Sequence, residues 1–332
     1  MHKELFSIQI IRDYMSNKGL IQNKVKNIDE AYEFFEYLST PKNGKKFNSL
    51  YILNYLHQYI VSDEVAKRKT SSRVFEDLLG ILFNGEVADN AVRKNLHQEV
   101  PSIFEMVKDK MAGNKREKID LIFDDNFGIS LKTLLKSNKE INLGSFEKKI
   151  LFDGFDVVDK LQERKSEDKI GLGSKPQFKN LLNLIKEKHH YDKFKDRFEK
   201  MFKFVFSDDI IFAIKDNNKL DLYFFSGVEF TDFIIDKLEN IESFLSVVNR
   251  WEGNSIRIDR TLLLNSCTRV IQLDLTILDK TCIKLMNEFD FILHETYVKY
   301  FNEDDNSKLR DDLTIGLDKL FEKFEEDMEG LK

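Results

Sequence analysis

The chain has 332 residues, of which 42% are hydrophobic and 29 are Phe against only 3 Pro, which excludes a disordered chain and leaves one elaborated α/β unit or two packed lobes. No apolar run approaches the roughly 20 residues of a membrane span, and the opening MHKELFSIQIIRDYM lacks the features of a signal peptide, so a cytoplasmic location away from membranes is expected. The net charge of −6 argues against a uniformly basic nucleic-acid binder, but residues 301–332 hold 5 basic against 11 acidic side chains and residues 131–200 hold 17 against 12, a division compatible with a local phosphate-binding face.

Residues 1–66 read as a helical region with aromatic stripes, among them Phe34, Phe35 and Leu38, then Tyr51, Leu53, Tyr55 and Leu56. Ser71 or Ser72 can cap an amphipathic helix carrying Val74, Phe75, Leu78, Leu79 and Leu82, which Gly85 is placed to stop. From Lys118 the period changes to two, and the turn chemistry of Asp124–Gly128 predicts a β-hairpin of Lys118–Asp124 and Gly128–Leu134. A helix is expected over Phe146–Leu161, then helices Lys175–Lys188 and Tyr191–Phe204. Strands Ile210–Ile214 and Asp221–Phe225 flank the turn Asp216–Asn218. A helix Val228–Val248 follows, then strand Ser255–Ile258 taken with Arg269–Leu273. Helix Leu278–Phe301 and a last acidic helix with Leu313, Leu317, Leu320, Phe321 and Phe324 on one face complete the chain.

The hairpin brings chemistry together. Asp120 and Lys132 lie on adjacent strands and can converge at one end of the sheet, and alternation puts Ser130 on the face of Lys132 with Leu131 pointing into the core. Glu76 approaches the same point if its helix packs beside that sheet. Phosphodiester hydrolysis needs such a set: carboxylates to hold a divalent metal, and a lysine to orient water and stabilise charge.

Asp120, nine intervening residues and then Ser130-Leu131-Lys132, behind the Arg73–Glu76 helix, resembles the core of the PD-(D/E)XK nucleases, as found in type II restriction endonucleases. The resemblance spans roughly residues 70–155. It implies a mixed α/β fold, a central mixed β-sheet flanked by helices, with helical N-terminal and C-terminal additions. On this reading 1–66 is a helical region, 67–205 the nuclease core, and 206–332 a mixed region for recognition and oligomerisation. It further implies Mg²⁺-dependent cleavage of double-stranded DNA at a short site by a homodimer. Asp120 becomes the principal metal ligand, Lys132 the catalytic lysine, Glu76 an auxiliary acid and the Leu131 carbonyl a further ligand. Ser130 stands where the family usually carries an acid, and a hydroxyl is a poorer Mg²⁺ ligand; Glu76 or Glu140 can restore the charge. The alternatives are a nonspecific or repair nuclease of the same core, and a DNA-binding protein with an inactive site.

Two further stretches suit DNA contacts. One is the run Lys136–Phe146, with Lys136, Asn138, Lys139, Asn142 and Ser145; it reads equally as a solvated loop. The other is the strand around Asn254, Arg257 and Arg260, where Arg257 and Asp259 also read as a plain surface pair. Gly171-Leu172-Gly173-Ser174-Lys175 lacks the spacing of a phosphate-cradling loop. His189-His190 reads as a helix end, and Cys267 and Cys282 as reduced thiols.

Overall fold

The computed structural model describes residues 6–19, 25–40, 46–57, 71–88, 118–123, 127–161, 169–276, 278, 280, 284–285, 299–302 and 304–329. Three helices open it: α1 Phe6–Asn17, α2 Ile28–Ser39 and α3 Lys46–Leu56. Helix α4, Ser71–Phe83, contains both expected capping serines within its first turn. It ends on Asn84 in the left-handed conformation (φ 57°), with the Asn84 N–H donating to the Ile81 carbonyl and the Gly85 N–H to that of Gly80. Asn84, not Gly85, is therefore the left-handed stop, and Gly85 closes the last turn behind it.

A six-stranded mixed sheet forms the centre. Strands β1 Glu86–Val87, β2 Leu121–Ile122 and β3 Gly128–Leu135 make an antiparallel meander, so the expected hairpin forms with a short first strand. Strand β4, Glu140–Ser145, occupies the run expected as a loop, and leads through the short helix α5 Lys148–Leu151 to helices α6 Lys175–Glu187 and α7 Tyr191–Val205. Strand β5, Asp209–Asp216, then returns parallel to β3, pairing Ile129 with Asp209 and Leu135 with Lys215. Strand β6, Lys219–Phe225, and a later strand complete the sheet.

The single helix expected over Val228–Val248 is broken. Helix α8 Gly227–Ile235 passes through a 3₁₀ turn, and Asn240 caps a new helix, α9 Ile241–Val247, by accepting from the Ser243 N–H. The chain then extends as β7 Val248–Glu252 and β8 Ser255–Asp259, followed by α10 Arg260–Ser266 and β9 Arg269–Asp274. Strands β8 and β9, expected together, lie in different sheets: β9 pairs with β6, whereas β8 sits between β4 and β7 in a second, antiparallel sheet. The Phe146–Leu161 helix is also cut short after Leu151, with Gly154 and Asp156 at positive φ. Most of the helix expected over Leu278–Phe301 lies outside the described residues. The final helix, α11 Ser307–Glu329, buries Leu313, Leu317, Leu320 and Phe324 as its pattern requires.

Two apolar cores share the central sheet. On one face Phe35, Leu78, Leu131, Ile211 and Leu222 pack with helices α1–α4 and α11. On the other, Phe212, Phe225 and Ile214 meet the second sheet and helices α6–α9, in a core where Phe198 packs edge-on against Phe244 with ring centres 4.9 Å apart. Among the described residues no helix is long and apolar enough to cross a membrane.

Candidate active site

The β1–β2 end of the sheet is where the chemistry collects. Strand β2 contributes only Leu121 and Ile122 to the ladder, so β3 runs on past its partner and presents the Leu131 N–H and carbonyl to side chains. Asp120, immediately before β2, fills that gap. Its Oδ2 accepts from the Leu131 N–H at 2.6 Å, the Ser130 hydroxyl at 3.3 Å and the Lys132 ammonium at 3.3 Å. Lys132 Nζ also donates to Ser130 Oγ at 3.1 Å and to the Leu131 carbonyl at 3.0 Å. Three consecutive residues of one strand thus converge on a single carboxylate oxygen.

Two glycines make this approach possible. A Cβ at Gly128 would stand 1.8 Å from the Ile119 Cδ1, so β3 can lie against the buried residue next to Asp120 only without one. At Gly80 a Cβ would lie 2.9 Å from Val87 and 3.5 Å from Leu121, so the absence of a side chain lets α4 press onto β1 and β2. Glu76 is one helical turn before Gly80 and shares its face. Burial, and then the nearby charge of Asp120, push the Glu76 carboxyl up to about 7, opposed by Arg73 and Lys132. Arg73 lies 3.7 Å from Glu76 and 3.2 Å from Asp77.

Glu140, the other acid considered for a second charge, is committed elsewhere. Its Oε2 accepts from Arg250 Nε and Nη2 at 3.1 and 2.9 Å, and its Oε1 accepts from Arg250 Nε at 3.3 Å and from Asn249. Ser130 is 3% exposed and held between Asp120 and Lys132, so its hydroxyl positions its neighbours. Among the described residues no group of three His, Cys, Asp or Glu side chains gathers as a metal site; the oxygen set here is two carboxylates and a main-chain carbonyl.

The residues expected to contact DNA divide between places. Asn138, Lys139 and Arg257 line one recess with Glu140, Lys175, Asn249 and Asp259. Asn249 and Lys175 were not anticipated there: Asn249 has no spacing signal, and Lys175 was visible only as the end of the glycine loop, where Ser174 caps α6. Ser145 and Asn254 lie at the far end of the β4–β8 ladder, about 16 Å along the strand from Glu140. Asn142 accepts from the Gly144 N–H within its own strand irregularity. Lys136 pairs with Asp216 of the central sheet, and Arg260 at the start of α10 donates to the Lys136 carbonyl, so the loop is tied to the central sheet on one side and to α10 on the other. Arg257 pairs with Glu252 at 3.0 Å, while Asp259 caps α10; the expected alternative of an Arg257–Asp259 pair does not form. His189 ends α6 at positive φ, His190 stacks on Phe155, and the Cys267 thiol donates to the carbonyls of Phe224 and Arg269.

No family model, curated protein or solved structure matches the chain.

Proposed function

We propose that the chain is a Mg²⁺-dependent endonuclease that hydrolyses phosphodiester bonds of double-stranded DNA at a short specific sequence, with a homodimer on a symmetric site as part of the same reading. The observation that carries it is the convergence of Ser130, Leu131 and Lys132 on Asp120 Oδ2, with Glu76 coupled to the same carboxylate.

The donor set fits a hard divalent cation. Asp120, Glu76 and the Leu131 carbonyl would hold it, and the mutual repulsion of the two carboxylates is what such a cation relieves. When bound, Mg²⁺ polarises the scissile phosphate and acidifies water. Lys132 supplies a fixed positive charge beside the developing negative charge of the phosphoryl group. Ser130 holds the ammonium by accepting from it at 3.1 Å, and the Leu131 N–H holds Asp120 in place at 2.6 Å. Ser130 at the usual acid position is thus compatible with activity, because Glu76 contributes the second negative charge from the neighbouring helix.

Incubation of supercoiled plasmid with and without Mg²⁺ tests the reading. Wild type should yield discrete fragments only with the metal. Asp120→Ala and Lys132→Ala should each lower cleavage at least about a hundred-fold while binding DNA normally. Near wild-type cutting by either variant would remove the assignment, and a continuous smear would indicate a nonspecific nuclease.

A further inference from the structure

A second recess, of about 680 Å³, lies beside the Glu140↔Asp259 rung of the second sheet and the first turn of α6. Its acids are already spent: Glu140 is bound by Arg250 and Asn249, and Asp259 accepts from the Thr261 and Leu262 N–H groups. Its cations are not. Lys139 and Lys175 are exposed and engage no anion among the described residues. Arg257 meets the exposed Glu252 through Nη2; its Nε is closed off behind the wall and takes no part, while Nη1 donates to nothing among the described residues. The exposed Asn138 amide makes no hydrogen bond among them either.

These donors come from three separate elements: Lys139 stands just ahead of β4, Arg257 lies in β8 and Lys175 opens α6. With both acids neutralised from elsewhere, a concave surface of three cations and an amide is left facing solvent, which fits an anion. Both lysines belong to residues 131–200, where 17 basic side chains face 12 acidic ones in a chain of net charge −6. An anionic strand is drawn to this part of the molecule.

We propose that this recess is a phosphate anchor, in which Lys139 and Lys175, with Arg257 Nη1 and the Asn138 amide beside them, grip a backbone phosphate of the DNA that the candidate active site cuts. The choice of DNA among phosphate-bearing ligands rests on the nuclease reading. Lysine and arginine contacts of this kind supply affinity and fix register on the duplex, and they carry no sequence information. Lys139 follows Lys132 by seven residues. A chain of that length spans at most about 25 Å, so a phosphate held here lies within about one turn of the duplex, roughly 34–36 Å, from the cut. A second hold on the backbone at that range helps to set which phosphodiester bond reaches Lys132.

Fluorescence anisotropy of a labelled duplex with the full chain in metal-free buffer, over a series of salt concentrations, tests this without scoring cleavage. Lys139→Ala and Lys175→Ala together should weaken binding about ten-fold at low salt and lower the slope of log K against log salt by about 0.9, the value for one phosphate contact. Lys175→Ala alone should show part of that loss. Lys186→Ala, at an exposed lysine about 16 Å further along α6, should show none. An unchanged slope in the double variant overturns the proposal, and so does an equal loss in Lys186→Ala and Lys175→Ala, which would mean a diffuse field in place of a site. Titration with pyrophosphate separates the sources: binding that requires the two lysines, with no affinity for the duplex, would overturn DNA as the occupant and assign a free phosphorylated ligand. Lysine-dependent DNA binding by a protein that never cuts plasmid would sink the nuclease alone. A plasmid-cutting wild type whose lysine variants bind as it does would sink the anchor alone.

Discussion

Glu76 and Ser130 divide the work that one acid does in the sequence pattern this chain resembles. Glu76 brings charge from a helix, and Ser130 brings geometry from the strand. Loss of the charge should therefore cost more. Glu76→Ala is expected to lower Mg²⁺-dependent cleavage about a hundred-fold, and Ser130→Ala about ten-fold or less, since removing one positioning group spares the charged set. A fully active Glu76→Ala beside a dead Ser130→Ala in the same plasmid assay would reverse the assignment. Asp209 is a different kind of acid. It accepts from the Gly227 N–H at 2.8 Å, yet burial pushes its carboxyl up to about 6. The folded state thus holds the proton more tightly than the unfolded chain, so this group favours folding at low pH. That contribution is lost as pH rises through about 6. Asp209→Asn keeps an acceptor for Gly227 and removes the titration. Its stability relative to wild type should rise between pH 4 and pH 7.5, on the order of 1–3 kcal/mol in urea melts. A pH-independent difference would show that Asp209 ionises without penalty.

At the scale of elements, the site depends on how closely β3 approaches its neighbours. Gly128→Ala places a methyl against Ile119, which is fully buried. The expected cost is about 1–3 kcal/mol of stability, with cleavage falling further because Asp120 must move with Ile119. Trimming the obstacle, in Gly128→Ala with Ile119→Ala, should recover more activity than stability; failure to do so in a paired denaturation and cleavage measurement would uncouple packing from catalysis. This hairpin was legible in the sequence because its alternation is strong and its pairing local. Strands β5 and β6 were legible for the same reason, around their two-residue turn. Strand β4 was not, since Asn142, Gly144 and Ser145 interrupt its apolar pattern where the ladder to β8 shifts register. Strand β7 was hidden because Ile241–Val248 continues a helical spacing, and only Asn240 marks the break. The partners of β8 and β9 are set by contacts distant in sequence, which no local period encodes. Asp120 and Lys132 could be grouped because their hairpin is local, and Glu76 only through the family resemblance and on the condition that its helix packs beside the sheet, whereas Asn249 and Lys175 could not be placed beside Arg257.

Across the whole molecule the central sheet belongs to both cores. In β5, Ile211 and Ala213 face one core while Ile210, Phe212 and Ile214 face the other. Loss of either core should therefore unfold both. Trp251, the single tryptophan, is buried in the core of the second sheet and reports on that side alone. Phe35→Ala, in the opposite core, should cost about 3–5 kcal/mol and move the Trp251 fluorescence transition and the far-UV circular dichroism transition together. Two separated transitions would mean that the sheet does not couple the cores.

The parallel pairing of β3 with β5 also fixes a schedule. Ile129 meets Asp209, 80 residues later in the chain. At about 5–20 residues per second a ribosome needs roughly 4–16 s to supply that partner. Throughout this interval, among the described residues, the strand carrying Lys132 has only the two-residue β2 as a strand partner, beside the N-terminal helices that cover one of its faces. A nascent chain therefore holds its proposed cutting residues on a half-sheathed strand, and catalytic competence waits for the second half of the protein to be made.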